Sequence, residues 1–250
     1  IAGLDKCMAF LKKHEPHLAA LVEGYEVEDF LCLKGYSHNV SRCWSPDRWA
    51  LVGEAGAFVD PLYSPGTDFI AAANKYTVEM IRTDYAMAAG STEDLGCETL
   101  AEKANHLNLL YRSMWGGCID LFRRSSPTYG HPSAMSAKVF IDNFFYWSFT
   151  CHLIHQGVYR LNSKDYGPYG EVGVRFLALG NFMQGFFREW ALMAPEEQRA
   201  EFVGAPAFPS ILVDAHVLTG ERWSLEETLK YMQMRAPQGE EAVGEIVLRV

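Results

Sequence analysis

The sequence predicts two unlike portions, a short α/β portion over residues 1–90 and a predominantly α-helical portion over 91–250. Runs of strand length, with alternation or β-branched and aromatic residues, are confined to 25–53. After residue 98, apolar residues recur at spacings of three and four through several long stretches. Between the two lies a turn-rich stretch, LVGEAGAFVDPLYSPGTDF at 51–69, that breaks a strand with glycine and leads into a helix.

The elements follow in order. From Asp5 to Val22, Met8, Leu11, Leu18, Leu21 and Val22 lie among Lys, His and Glu, a one-faced helix interrupted near Pro16. YEVEDFLCLKGYSHNVSRC at 25–43 reads as two short strands around Gly35, and RWALVG at 48–53 as a buried strand ending in glycine. TDFIAAANKYTVEMIRTDYAMAA at 67–89 is helical, with Thr67 or Asp68 as its cap and Gly90-Ser91 as its stop. Leu100, Ala104, Leu107, Tyr111, Met114, Cys118 and Leu121 mark a helix between Glu98 and Phe122 that Gly116-Gly117 can bend. The segment 136–161 is apolar nearly all round, as for a helix surrounded by protein. Phe176, Leu179, Met183, Phe186, Trp190 and Met193 mark another helix. Pro195, Pro206 and Pro209 mark a loop, and Ser224 with Glu227 forms a capping box before LEETLKYMQMR.

Bulk properties exclude several classes. With 22 basic against 31 acidic side chains, a formal net charge of -9 and no Lys/Arg cluster, the chain is unsuited to nucleic acid or an anionic membrane surface. No apolar run approaches the ~20 residues that span a bilayer, and the N-terminus lacks a signal-like pattern, so a cytoplasmic protein is expected. The six cysteines, Cys7, Cys32, Cys43, Cys97, Cys118 and Cys151, form no C-x-x-C pair or zinc spacing and read as reduced, mostly core thiols.

The chemistry concentrates at 53–67. If 48–53 is the last strand of a parallel sheet, the following loop lies at its carboxyl end, where open α/β sheets bind ligands. Gly53 and Gly56 permit close backbone approach, and Glu54 can accept hydrogen bonds from hydroxyls. Gly66 and Thr67 supply amides at a helix start, where an anionic ligand atom is favoured. By spacing alone, a ligand loop and a plain strand-to-helix turn stand equal.

A resemblance separates them. RWALVGEAGAFVDPLYSPGTDFIAAAN resembles the second flavin-binding motif of FAD-dependent monooxygenases and halogenases, and the upstream GYSHNVSR resembles the segment preceding it in flavin-dependent halogenases. The strong part covers about residues 33–85. It implies that residues 1–90 are the C-terminal part of an FAD-binding, Rossmann-like domain and 91–250 a helical C-terminal domain. The implied cofactor contacts are Gly53, Glu54, Ala55, Gly56, Asp60, Pro61, Ser64, Pro65, Gly66 and Thr67. Glu54 would meet the ribityl chain, Asp60 and Pro61 the isoalloxazine ring, and the Gly66 and Thr67 amides the flavin N1/O2 edge.

The implied activity is oxidation of an aromatic or other apolar small molecule through a flavin hydroperoxide, by hydroxylation or, with halide, halogenation. A flavin reductase or nicotinamide cofactor would supply electrons. Three features depart from the pattern. Glu54 stands for the usual Asp, Pro65 has no N–H for a halide, and no G-x-G-x-x-G occurs, since GPYGEVG at 167–173 has the wrong spacing and no strand before it. The halogenase lysine and Trp-x-Trp-x-x-Pro signature are also absent. With Ile at position 1, the chain is expected to be the C-terminal half of such an enzyme; the alternative is a non-catalytic ligand-binding or protein-interaction module retaining half of a flavin fold.

Other constellations read as structural. His152 and His155, one turn apart, have no carboxylate at metal spacing and read as core or pocket histidines, so no metal is expected. Glu98, Glu102 and His106 share a face that Lys103 suggests is solvated. Arg123-Arg124 suits a helix C-terminus. Phe144, Phe145, Tyr146, Trp147 and Phe149 read as core, or as the wall of an aromatic pocket.

Overall fold

The computed structural model of the chain describes residues 3–91, 99–123, 125–193 and 209–250. They belong to two compact units, Ile1–His38 and Asn39–Val250. The first carries α1 (Leu4–His14) and α2 (Pro16–Val22), broken where Pro16 takes the first position of a new helix. Of the two strands expected at 25–43, the one before Gly35 does not form and the one after it is reduced to two residues. All residues from 23 to 37 are exposed on both faces, so no buried face holds a strand register. Extended structure begins only with β1 (His38–Asn39), which with β2 (Ala57–Phe58) makes a two-stranded sheet.

In the second unit the expected buried strand at 48–53 is also replaced. Arg48 adopts a left-handed φ of 63°, the chain folds back, and only an isolated antiparallel bridge joins Trp44 to Ala50. The Leu51 N–H donates to Cys43 O at 2.8 Å, closing this turn. Of its apolar residues, Ala50 and Leu51 are half-buried while Trp49 and Val52 are exposed, so the run is not a buried strand, a distinction that short apolar runs do not carry. Among the described residues the sheet is the two-stranded β1–β2 pair, to which the α/β part of the expectation is reduced.

Helices dominate the rest. α3 (Pro65–Ala88) ends in a Schellman motif, with Gly90 at φ 71° and the Ser91 N–H donating to Ala86 O at 2.9 Å. α4 (Leu100–Phe122) begins with a capping box between Thr99 and Glu102. After the short α5 (Ser126–Tyr129), α6 (Pro132–Phe145) starts four residues before the expected point, capped by the His131 ring, which accepts from the Ala134 N–H at 3.1 Å. The single helix expected over 136–161 is in fact segmented. α6 passes into a π-helical turn at Tyr146–Thr150, then α7 (Cys151–His155), and Gly157 at φ 75° ends it.

α8 (Ser163–Met193) is longer than its apolar pattern suggests and includes GPYGEVG as helix. The Gly173 in that string is a packing glycine: a Cβ there would meet Phe149 Cζ at 2.7 Å. α9 (Ser210–Leu218) follows Pro209, while Pro195 and Pro206 lie outside the described residues. α10 (Leu225–Arg249) carries the expected Ser224–Glu227 capping box. Among the cysteines, Cys43 and Cys151 are buried, Cys7 and Cys118 half-buried and Cys32 exposed; Cys97 lies outside the described residues.

One core lies between α3 and α4, where Trp44 packs edge-on against Tyr111 at 5.1 Å and Tyr111 against Phe69 at 5.4 Å. Asn108 ties the 43–44 turn to this core. Its Oδ1 accepts from the Cys43 and Trp44 amides at 2.6 and 3.2 Å, and its Nδ2 donates to Trp44 O and Ala104 O. Asn108→Ala strands buried backbone groups and is expected to cost about 2–4 kcal/mol, read as a lowered urea midpoint. Asn108→Ala within experimental error of the unmodified chain would contradict that role. No helix among the described residues is long and apolar enough to cross a membrane.

Candidate functional site

A cavity of about 660 Å³ opens in the second unit between the start of α3, α4, α6 with its π turn, and α8. The π turn shapes one wall. Its wider winding brings Tyr146, Trp147, Phe149 and Thr150, four of its five residues, to the cavity, while Ser148 points away and accepts from Arg235 Nε at 3.2 Å. Of the aromatic run, Phe144 alone is fully buried core and the others line the cavity. The pocket alternative for that run is thus the one realised, at four of five positions.

The loop entering α3 supplies another wall. Tyr63 and Ser64 both take left-handed φ values, 65° and 56°, a strained pair that neither glycine nor a side-chain cap relieves. Pro65 then takes the first helical position, so the cap residue is Ser64, three or four residues before the expected caps Thr67 and Asp68, and the Thr67 N–H, expected to be free, donates to Ser64 O at 3.2 Å. Ser64, Pro65 and Thr67 line the cavity. A Cβ at Gly66 would meet nothing within 4 Å. Its amide is among the first of the helix, a position without an intrahelical partner.

The upstream half of the motif lies elsewhere. Gly53–Ala55 forms a 3-10 turn outside the cavity lining, with Gly53 at φ 61° and Glu54 exposed. Gly56 is buried, and a Cβ there would sit 3.2 Å from Cys43 Sγ and 3.3 Å from Leu51 O. Its glycine is therefore required by the chain's own packing. Asp60 Oδ1 accepts from the Leu62 N–H at 2.9 Å in a local turn, and Pro61 O accepts from the Ser64 N–H at 3.0 Å. The structure thus brings Ser64, Pro65 and Thr67 to the cavity and leaves Gly53, Glu54, Ala55, Gly56, Asp60, Pro61 and Gly66 off its wall.

The polar groups that the cavity does collect are ones the motif reading passed over. Asp68 lies half-buried on the wall and accepts from the Tyr146 hydroxyl at 2.8 Å. Burial raises its pKa above the usual carboxylate range, and the Tyr146 bond and His155 oppose that. Deeper, Lys138 and Asp142 form a buried pair at 2.7 Å. Lys138 also donates to Leu121 O at 2.9 Å and to Gln184 Oε1, and Gln184 Nε2 donates back to Asp142 Oδ1 at 2.8 Å. The Tyr63 hydroxyl also bonds Asp142. Burial pushes the Asp142 pKa up and the Lys138 pKa down, with their mutual attraction working against both shifts. The signal in the sequence was a Lys and an Asp four residues apart inside an apolar run, which an exposed face does not require.

His152 is fully buried, stacked on Trp223 at 4.9 Å, a core histidine as expected. His155 lines a smaller cleft beside Lys75 and Arg160. The solvated reading of 98–106 is corrected: His106 and Lys103 are buried, with Lys103 donating to Arg160 O at 3.0 Å, although Glu102 is exposed at its cap. Glu98 and Arg124 lie outside the described residues, and Arg123 lies 3.5 Å from Asp120. Among the described residues no His, Cys, Asp or Glu cluster suits a metal.

The two buried histidines predict acid sensitivity. Burial, reinforced by Lys103 at His106 and by His155 and Arg235 at His152, lowers each ring to about 4. An unfolded histidine protonates near 6.5, so between those values the unfolded chain binds more protons and stability falls as pH falls. The expected loss is on the order of 2–3 kcal/mol per ring by pH ~4, read as urea midpoints across pH. His152→Gln should flatten the slope, and a midpoint indifferent to pH would sink the assignment.

No family model matches the chain, and no solved structure matches it. Over 146 residues, 58% of its length, it is 27% identical to the flavin-dependent halogenase chlA of Dictyostelium discoideum. The match spans 23% of that protein's length, so it is a distant and partial relation to a flavin-dependent enzyme.

Proposed function

We propose that this chain is the C-terminal portion of an FAD-dependent oxidoreductase of the halogenase or monooxygenase type, acting on an aromatic or other apolar small molecule held in the 660 Å³ cavity. One observation carries the reading. Ser64, Pro65 and Thr67 of the α3 start line a large aromatic-walled cavity, and Gly66 among them has open space beside it at the cavity's edge. The distant similarity to a flavin-dependent halogenase supports it.

The residues at 64–67 fit a flavin edge: Gly66 offers an orphan amide and leaves room for close approach, and the α3 N-terminus favours negative charge there. Bound reduced flavin would supply oxygen activation, with electrons from a flavin reductase or a nicotinamide cofactor. The chain's own share is positioning. The π-turn aromatics pack the substrate ring and exclude water, and Asp68 and Asp142 hold acceptors toward it. Asp60 and Pro61 would flank the isoalloxazine and Glu54 the ribityl chain, while a halide would have to find donors other than Pro65.

The test is an FAD titration of the purified chain, followed by visible absorbance and quenching of flavin fluorescence. Saturable binding is expected. An unperturbed flavin spectrum at saturating protein would overturn the flavin reading for this chain and favour a non-catalytic module.

A further inference from the structure

The cavity's charge is one-sided. Its wall includes three carboxylates, Asp68, Asp120 and Asp142, and among the described residues no Lys, Arg or His. The cations that answer them sit off the wall. Lys138 is fully buried behind Asp142, and Arg123 is exposed beside Asp120. Asp68 differs from both. Among the described residues it has no ion pair and accepts one side-chain hydrogen bond, from Tyr146, and an ionised carboxylate has about four acceptor positions to fill. The nearest titratable base acting on it, His155, has its own pKa lowered by burial and by Lys75.

We infer that, given the substrate-cavity reading above, the cavity selects aromatic molecules that are neutral or cationic and carry a hydroxyl or amine donor, and that it rejects carboxylates, with Asp68 as the specificity-determining residue. Apolar and aromatic walls bind the ring through burial, which any aromatic can satisfy. The discrimination comes from the acceptors. A ligand O–H or N–H completes the hydrogen-bonding of Asp68, whereas a ligand carboxylate brings a second negative charge into a space with low dielectric and no cation on its wall. Asp142 contributes less, because Lys138, Gln184 and Tyr63 already occupy most of its acceptor positions.

A matched series tests this by calorimetry on the whole chain at neutral pH: tyramine, 4-ethylphenol and 3-(4-hydroxyphenyl)propionate, which share a phenol ring and differ in tail charge. The propionate is expected to bind about tenfold or more weakly than the other two, a difference of ~1.4 kcal/mol or more. Asp68→Asn, which keeps an acceptor for Tyr146 and removes the charge, should bring the three within about threefold of one another. Asp142→Asn, if it folds, should narrow the gap less.

Equal binding of all three by the unmodified chain overturns the charge selection and leaves the aromatic cavity standing. A gap unchanged in Asp68→Asn overturns the role of that residue. No binding of any of the three at millimolar concentration overturns the substrate cavity itself, and with it the selection.

Discussion

Lys138→Met is expected to destabilise the fold by about 3–5 kcal/mol, because it leaves Asp142 buried without its cation. The methionine fills a similar volume, so the loss measures charge and hydrogen bonding more than packing. Asp142, Leu121 O and Gln184 Oε1 all lose the same donor, and among the described residues no other Lys or Arg donates to any of them. The double variant Lys138→Met with Asp142→Leu should recover a large part of the loss, since removing both charges removes the desolvation that made one alone costly. Recovery will be incomplete because Gln184 and Tyr63 lose an acceptor. Urea unfolding of the four members of the cycle measures this. If Lys138→Met costs less than about 1 kcal/mol, the pair is not the buried anchor described.

Gly66→Val should abolish FAD binding while leaving the urea midpoint almost unmoved. A Cβ at Gly66 meets no atom of the chain within 4 Å, and the residue lies at the second position of α3 with no positive φ, so the fold tolerates a side chain there. Only a ligand drawn close to the Gly66 amide would be displaced. At least a hundredfold weaker flavin binding is expected, equivalent to ~2.7 kcal/mol, from loss of close approach along the α3 N-terminus. The parallel substitution Gly56→Val is the control, because its Cβ collides with Cys43 Sγ and Leu51 O and should cost stability whether or not flavin is present. Gly66→Val with undiminished flavin affinity would falsify the assignment of this loop.

The two glycines of one motif thus differ in kind, and that difference was not legible in the string GEAGAFVDPLYSPG. Composition and spacing did mark helices: α3, α4 and the 176–193 part of α8 appear where the residue pattern put them, and α10 follows the Ser224–Glu227 capping box. Local rules suffice there because each helix closes its own hydrogen bonds. Strands have no such autonomy. The 25–37 and 48–53 runs had strand-like residues, but a strand exists only with a partner and a buried face, and the tertiary structure supplied neither at those places.

The cavity was decided at the tertiary level for the same reason. Asp68, Asp142, Tyr146 and Gln184 come from α3, α6, the π turn and α8, up to 116 residues apart, and no local pattern joins them. The sequence by itself determined most of the long helical segments, the turn-rich stretch before α3 and the aromatic run at 144–149. Only packing decided that the π turn rotates those aromatics onto a shared space, and that carboxylates face into it while the cations of Asp120 and Asp142 stay off its wall. Periodicity encodes which side of a helix is apolar; it does not encode which apolar sides meet with a gap between them.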